Sequence, residues 1–141
     1  MPIVMDAEAL NGFLHGVFEQ VADDFIVESV TEEALTVRLR VSDKHLRPGG
    51  TISGPSMFGL ADVAVYLAVL SKIGPQALAV TTNAGLDFLR KPAAGVDLIA
   101  TCRLLKLGKV LAVGDVLIHS EGQPEPVARA NMTYSIPPRK G

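Results

Sequence analysis

The sequence predicts an α+β domain, in which one long apolar helix packs on a sheet of five to six mainly antiparallel strands. Three observations carry this prediction. Residues 54–70 form an apolar run with a single charge, Asp62, and Pro55 near its start suits the first turn of a helix. Residues 34–41 alternate apolar and polar side chains, which is the period of a half-buried strand. Gly108 separates two long strand-like runs closely enough for an antiparallel hairpin.

The remaining elements follow in chain order. Asp6 is placed to cap a first helix that runs to about residue 22, with apolar residues at helical spacing. The Gly74-Pro75 pair ends the long helix at about residue 73. The predicted strands cover residues 25–30, 34–41, 77–89, 97–107, 109–119 and 127–136. Because no repeat or linker interrupts this order, we expect one domain, with an N-terminal helix at about 6–22 and a core at about 24–136.

The composition restricts the possible functions. Of the 141 residues, 48 % are hydrophobic and only 20 % are charged, which predicts that part of the apolar surface is buried between subunits. The net charge is −2 and no long basic run occurs, so nothing indicates a nucleic-acid partner. Cys102 is the only cysteine, which excludes an internal disulfide and predicts a core side chain. The first residues lack the layout of a signal peptide, and Asp62 argues against a membrane span, so we expect a cytoplasmic protein without a membrane partner.

Asp62 is the residue that most needs an explanation. It lies about two turns inside the apolar helix, too deep to act as a cap or to be stabilised by the helix dipole. Burying a carboxylate without a partner is expensive. Two interpretations stay open at this point: a functional carboxylate, or an aspartate on a narrow polar stripe that pairs with an Arg or Lys elsewhere.

The loop before the helix, residues 47–55, favours the functional interpretation. Its glycines let the backbone approach a ligand closely, and it runs into a helix N-terminus whose free N–H groups suit an anion. Gly49 and Gly54 have the spacing of a nucleotide P-loop, but Pro55 stands where that motif requires Lys, so the P-loop interpretation fails. A flexible turn that ends in a helix start is the simpler alternative.

These segments resemble the PaaI-like acyl-CoA thioesterases, which have the hotdog fold. In that family an Asn-x-x-Gly-x-x-His-Gly-Gly loop precedes a helix that carries Leu-Ala-Asp. Here residues 47–55 read RPGGTISGP and residues 60–62 read Leu-Ala-Asp. Residues 82–92 are similar to the next strand of the family, and residues 107–109 to its glycine-lysine hairpin. The resemblance covers about residues 40–136 and implies a curved antiparallel sheet wrapped around one long central helix.

The resemblance also implies roles for individual residues. Asp62 matches the catalytic carboxylate, and Gly54 supplies the backbone N–H that polarises the thioester carbonyl. Thr82 falls where relatives place a hydroxyl that helps to position the attacking water. Ser53 stands where the family has His, and Arg47 where it has Asn. The predicted catalytic residues are Asp62, Gly54, Ser53 and Thr82, and the predicted residues for substrate and CoA binding are Arg47, Asn83, Arg90, Lys91 and Lys109.

Helix geometry adds a constraint on assembly. Eight helical residues rise about 12 Å, so Gly54 and Asp62 of one chain cannot flank the same thioester carbon. They can do so across a dimer in which two such helices run antiparallel, which is the arrangement that the family implies. Together with this geometry, the resemblance implies an acyl-CoA thioesterase that works as a homodimer or homotetramer.

Two other functions stay open. The replacement of the family's His by Ser53 favours a non-catalytic acyl-CoA or CoA-binding protein. Hotdog hydratases act on the same thioesters but usually place a His in the site, and none of the three histidines lies in this loop or helix. The histidines also lack metal-ligand spacing, so we expect no metal and no cofactor beyond the CoA of the substrate.

Overall fold

The computed structural model describes residues 2–138. Its three α-helices are α1 (Ala7–Val17), α2 (Glu19–Ala22) and α3 (Gly54–Ile73). Its six strands are β1 (Phe25–Val30), β2 (Leu35–Leu39), β3 (Val80–Phe88), β4 (Leu98–Leu107), β5 (Leu111–Ser120) and β6 (Pro126–Ser135). Each predicted strand is present, with ends that differ from the prediction by at most three residues.

All six strands form one sheet in the order β1-β2-β4-β5-β6-β3, and every neighbouring pair is antiparallel. A flat sheet of six strands spaced about 4.8 Å apart would be about 24 Å wide. Helix α3, about 10 Å across, nevertheless contacts every strand. The sheet therefore curves around α3, which confirms the predicted α+β hotdog fold. Strand β3 lies at one edge of the sheet.

The apolar run of residues 54–70 is the core helix of the domain. Twelve of the twenty residues of α3 are buried, so its apolar character is explained by the sheet around it. By length and composition α3 would also be long enough to cross a membrane, but 67 % of that window is buried within the protein. The helix begins at Gly54, and Gly74 follows its last turn with a φ of +89°, a conformation that favours glycine.

The N-terminal helix is shorter than predicted. Instead of one helix at 6–22, α1 ends at Val17 and α2 begins at Glu19, with Phe18 at φ −130° and ψ 48° between them. Asp6 caps α1 as predicted, since its carboxylate accepts a hydrogen bond of 2.9 Å from the N–H of Ala9. At the break, the ring of Phe18 packs edge-on against Tyr66 of α3, with ring centroids 6.3 Å apart.

Candidate active site

Asp62 is half-buried on α3, and two hydroxyl groups donate hydrogen bonds to its Oδ1. One belongs to Thr81 of β3. The other belongs to Tyr134 of β6, whose oxygen lies 2.7 Å from Oδ1 and 3.1 Å from the main-chain oxygen of Asp62. The ion pairs found within residues 2–138 do not include Asp62. In this part of the chain, hydroxyl groups rather than an Arg or Lys satisfy the carboxylate.

A β-bulge decides which threonine reaches Asp62. Thr81 pairs with Tyr134 across the ladder between β3 and β6, but the register shifts before Asn83 pairs with Thr133. Thr82 is therefore an extra residue in β3, and bulges of this kind re-aim side chains next to functional sites. It is exposed, and its hydroxyl donates to the main-chain oxygen of Thr133 at 3.3 Å. Within one chain Thr81 places its hydroxyl at Asp62, whereas Thr82, which is predicted to help position the attacking water, makes its hydrogen bond to Thr133.

Tyr134 keeps its proton in this setting. Burial raises the pKa of the Tyr134 phenol well above its usual range, and the nearby charge of Asp62 raises it further. A protonated phenol donates a hydrogen bond, and Tyr134 donates one to the carboxylate of Asp62. The neighbouring Tyr66 makes a different contact, because its hydroxyl donates to the main-chain oxygen of Ala77 at 3.2 Å.

Asp62, Thr81 and Tyr134 line a pocket of about 560 Å³ that extends to the N-terminal helices. Four aromatic residues line this pocket: Phe18, Phe25, Tyr66 and Tyr134. The ring of Phe18 packs on Tyr66, and Tyr66 packs on Tyr134 with ring centroids 6.1 Å apart. A largely apolar cavity with a few convergent polar groups is typical of a site for a small organic ligand. In this pocket, the charged group is the carboxylate of Asp62.

Ser53 has a structural role at the start of α3. Its Oγ accepts a hydrogen bond of 3.2 Å from the N–H of Ser56 and lies 2.8 Å from the Oγ of Ser56. The main-chain oxygen of His45 accepts from the N–H of Ser53 at 2.8 Å and from the hydroxyl of Ser56 at 3.3 Å. Ser53 is thus the N-cap that, with His45, fixes the loop to the helix start.

Gly54 is half-buried and is the first residue of α3 in this arrangement. Among the residues that the structure describes, none accepts a hydrogen bond from its N–H. A free N–H at the start of a long helix is suited to negative charge. At about 1.5 Å of rise per residue, Gly54 and Asp62 are about 12 Å apart along α3. One chain therefore does not bring these two predicted catalytic groups to the same reacting atom.

The five residues predicted to bind substrate or CoA do not line the Asp62 pocket. Arg47 is exposed in the loop before α3, and Asn83 is exposed on β3. Arg90 donates to a main-chain carbonyl, whereas Lys91 is exposed in the next loop. Lys109 lies in the turn between β4 and β5, beside a groove of about 840 Å³. Within a single chain these side chains are spread over the surface.

The other residues considered from the sequence are structural in this fold. Cys102 is buried on β4, as predicted, and burial raises the pKa of its thiol to about 12. His45 is buried, and its Nδ1 accepts a hydrogen bond of 2.9 Å from the N–H of Ser42. Within residues 2–138, no group of three or more His, Cys, Asp or Glu side chains is arranged to hold a metal ion.

Comparison with known proteins identifies the family. The family model described as "Thioesterase superfamily" matches residues 49–127, which include most of the loop before α3, α3 itself and β3 to β5. The chain belongs to the thioesterase superfamily. A crystal structure named as a "putative thioesterase" from Silicibacter sp. TM1040 is 56 % identical, covers 98 % of this chain and 96 % of its own, and has a TM-score of 0.91. "Putative esterase PA0474" of Pseudomonas aeruginosa is 32 % identical over 114 residues, which are 80 % of this chain and 83 % of that protein.

Two more distant structures have the same fold. The PaaI protein of the E. coli phenylacetic acid degradation operon is 26 % identical over 93 % of this chain and 95 % of its own, with a TM-score of 0.76. The protein smu.793 of Streptococcus mutans UA159, solved bound to acetyl CoA, is 25 % identical over 83 % of this chain and 91 % of its own, with a TM-score of 0.71. These relationships confirm the resemblance to PaaI-like thioesterases and support a hydrolase of thioesters.

Tyr134, like Thr81, lies at this site but is not singled out by the sequence. The strand pattern of residues 127–136 places it on the same face as Ala130 and Met132, and these residues are buried. A tyrosine on a buried face needs a partner for its hydroxyl. The need for such a partner is the one sign of Tyr134 in the sequence, and it does not identify Asp62 as that partner.

Proposed function

We propose that this protein hydrolyses an acyl-CoA thioester to a free acid and CoA, with Asp62 as general base or nucleophile. The observation that carries the proposal is the setting of Asp62, whose carboxylate receives two hydroxyl donors beside a largely apolar pocket. A carboxylate without a cationic partner within residues 2–138 is able to take a proton from water, or to attack the carbonyl carbon directly.

The second part of the proposal concerns the carbonyl oxygen. The N–H of Gly54, at the start of α3, is suited to stabilise the oxyanion, and one such donor is worth about 3 kcal/mol. Because Gly54 and Asp62 of one chain are about 12 Å apart, we assign the two groups of each site to different protomers of a homodimer. Two antiparallel α3 helices would then form two equivalent sites, and pairs of dimers would give the tetramer.

The edge of the sheet supports this assembly. Strand β3 has nine residues and, within residues 2–138, one neighbouring strand, β6. Val80 and Phe88 on this strand are 55 % and 54 % exposed. Proteins normally cover or blunt a long apolar edge strand, because its free N–H and C=O groups can pair with another chain. A second copy of the chain would cover this edge.

The acyl group would occupy the pocket beside Asp62, and CoA would lie on the surface outside it. Lys91 and Lys109 are exposed and make no ion pair within the described part of the chain, so they are the candidates to meet the CoA phosphates. The acetyl CoA in the related smu.793 structure supports a CoA thioester as the ligand. A cytoplasmic location is part of the same proposal.

The test is the release of free thiol from a panel of acyl-CoAs that differ in chain length and in aromatic character. Asp62→Asn should lower kcat at least tenfold, or about 1.4 kcal/mol of barrier, because the amide keeps the volume but accepts no proton. Asp87→Asn is the matched control, since Asp87 is an exposed carboxylate that pairs with Arg129. If the Asp62 variant keeps more than a tenth of kcat, the proposed role is wrong. Saturable binding without turnover would indicate a binding protein, and hydration of enoyl-CoA without thiol release would indicate a hydratase.

Mixed dimers test the shared site. Asp62→Asn and Gly54→Pro should each be nearly inactive alone, since the first lacks the carboxylate and the second lacks the N–H. After subunit exchange, half of the dimers are mixed, and each mixed dimer contains one site in which both groups are intact. We expect about a quarter of the parental activity per chain. The shared site would be contradicted if the exchanged samples regained no activity. It would also be contradicted if light scattering showed that the active species is a monomer.

A further inference from the structure

We propose that Tyr134 is a positioning residue which, together with Thr81, holds Oδ1 of Asp62 and leaves Oδ2 as the oxygen that acts on the substrate. This inference rests on the proposed thioesterase function and adds to it the working oxygen and the residue that selects it. Tyr134 does not touch the reacting atoms in this proposal. It acts by fixing the orientation of the Asp62 carboxylate.

The hydrogen bonds distinguish the two carboxylate oxygens. Oδ1 accepts from the hydroxyl of Thr81 and from that of Tyr134, which is 2.7 Å away. Within residues 2–138, no donor bonds to Oδ2. The side-chain torsion that turns a carboxylate is broad and roughly two-fold, so its two oxygens exchange places easily unless something holds them. Two donors on the same oxygen provide that restraint and leave the lone pairs of Oδ2 available.

The sheet holds the two donors in register. Thr81 and Tyr134 are direct partners in the antiparallel ladder between β3 and β6, so their side chains lie side by side on the face that carries α3. Tyr134 is also paired with Ala112 of β5, which makes β6 an interior strand at this point. Groups on paired strands move less than groups on loops, which suits donors that must fix a carboxylate.

The hydroxyl of Tyr134, rather than its ring, carries this role. The ring packs against Tyr66, and a phenylalanine would keep that packing. The hydroxyl donates to Oδ1 of Asp62 at 2.7 Å and lies 3.1 Å from the main-chain oxygen of Asp62, with the hydroxyl of Thr81 beside it. Because burial keeps the phenol protonated, Tyr134 can only donate to the carboxylate and cannot replace it as the base.

Tyr134→Phe is the direct test, measured by steady-state hydrolysis of the best acyl-CoA from the panel. We expect kcat to fall about tenfold while KM stays within about twofold. The pocket keeps its shape, and only the fixed orientation of the Asp62 carboxylate is lost. Tyr66→Phe is the matched control. It removes a tyrosine hydroxyl from the same aromatic group, but that hydroxyl donates to Ala77, so its effect should fall on KM more than on kcat.

Thr81 provides a second variant that does not depend on the tyrosine. Thr81→Val removes the other donor to Oδ1 at almost constant volume and should also lower kcat, whereas Thr81→Ser keeps a hydroxyl and should retain most of it. A crystal structure of Tyr134→Phe should show the Asp62 carboxylate turned, or in two orientations. That readout does not require activity.

The possible failures are distinguishable. If Asp62→Asn keeps its activity, the proposed function is wrong, whatever Tyr134 does. If Asp62→Asn is inactive but Tyr134→Phe has the parental kcat and an unmoved carboxylate, only the positioning role is wrong. If Tyr134→Phe has both a lower kcat and a raised KM, or fails to fold, the hydroxyl is structural. That result would also overturn the inference.

Discussion

The ring of Phe88 lies directly over Gly54, so that a Cβ built at position 54 would come within 3.2 Å of Cζ of Phe88. This contact joins the last residue of β3 to the first residue of α3. It places a half-exposed aromatic ring beside the N–H that we assign to the oxyanion. A side chain at position 54 would require this ring to shift by a few tenths of an ångström, and the atom that it meets is the end of a side chain rather than backbone.

Two substitutions at Gly54 separate the effect of the N–H from that of the ring. Gly54→Ala and Gly54→Pro both place a Cβ against Phe88, but only proline removes the N–H. Proline is tolerated in the first turn of a helix, and Ser53 before it already has the extended conformation that proline requires. We expect Gly54→Pro to lower kcat by about 100-fold or more, as the loss of an oxyanion donor does. Gly54→Ala should cost less than about tenfold.

The measurement is kcat for both variants, with helix content checked by circular dichroism. Equal losses in the two variants would assign the effect to the displaced Phe88 ring. A fully active Gly54→Pro protein would remove Gly54 from the mechanism.

Ser53 should matter more for stability than for catalysis. Ser53→Ala removes the N-cap of α3 and should lower the free energy of unfolding by about 1 kcal/mol. Asp6→Ala is the matched control, because Asp6 caps α1 in the same way, through a 2.9 Å bond from the N–H of Ala9. Both variants should lose similar stability in urea denaturation, and Ser53→Ala should lose less than about tenfold in kcat.

The alternative for Ser53 is a covalent role as an acylated nucleophile. In that case Ser53→Ala would be as inactive as Asp62→Asn, and an acyl group on Ser53 would be found by mass spectrometry after rapid quenching. The structure offers little support for such a role, since the hydroxyl of Ser53 bonds to the N–H and the hydroxyl of Ser56.

The fold and the main carboxylate were predictable from the sequence because both depend on local patterns. A seventeen-residue apolar run with one charge marks both α3 and Asp62, and two-residue alternation marks the strands. The partners of Asp62 were not predictable in this way, because the bulge between Thr81 and Asn83 changes which threonine faces the helix. A bulge adds one residue to a strand, and no periodic pattern shows where it lies.

Tyr134 illustrates a second limit. Alternation places it on the buried face of β6, but its partner Asp62 is 72 residues away in the chain. Long-range pairing follows from the order of the strands, which the sequence left open. The break at Phe18 also depends on a long-range contact, because the ring of Phe18 packs on Tyr66 of α3. The apolar residues of 6–22 keep their helical spacing across Phe18, so the sequence pattern does not show the break.

Arg38 joins two parts of the sheet and should be important for stability. Its guanidinium bonds to Glu28 at 2.8 Å, to Asp97 at 3.0 Å and to Glu121 at 2.6 Å, and these charges together raise the pKa of Arg38 further above its usual range. Asp97 also accepts a hydrogen bond of 3.0 Å from the N–H of Val41. Arg38→Met keeps much of the side-chain stem but leaves three carboxylates without their common partner.

We expect Arg38→Met to lower the free energy of unfolding by about 1–2 kcal/mol, a range reduced for the partial exposure of the carboxylates. Arg129→Met is the control, because the ion pair of Arg129 with Asp87 is more than 60 % exposed on both sides (64 % and 63 %) and should contribute about 0.5 kcal/mol or less. Urea denaturation of both variants checks the difference. Equal losses would mean that the Arg38 network is no stronger than a surface ion pair.

Cys102 should make the protein less stable in alkali. Burial, and to a smaller extent the charge of Asp115, raise the pKa of its thiol to about 12 in the folded state. An unfolded cysteine has a pKa of about 8.5. Between these values the unfolded chain has lost the thiol proton and the folded protein keeps it, so the unfolded state binds fewer protons. The free energy of unfolding therefore falls as the pH rises above about 8.5, by about 1.4 kcal/mol per pH unit.

Cys102→Ala removes this contribution and leaves the rest of the protein to titrate as before. Tyr66 and Tyr134, whose pKa values are also raised by burial, contribute with the same sign in both proteins. From pH 8 to pH 10.5, the parent should lose about 2.5 kcal/mol more stability in urea than the variant does. The small cavity that the substitution leaves shifts the variant by the same amount at each pH, so it does not affect this difference. Parallel pH curves for the two proteins would show that the Cys102 thiol ionises as readily in the folded state as in the unfolded one.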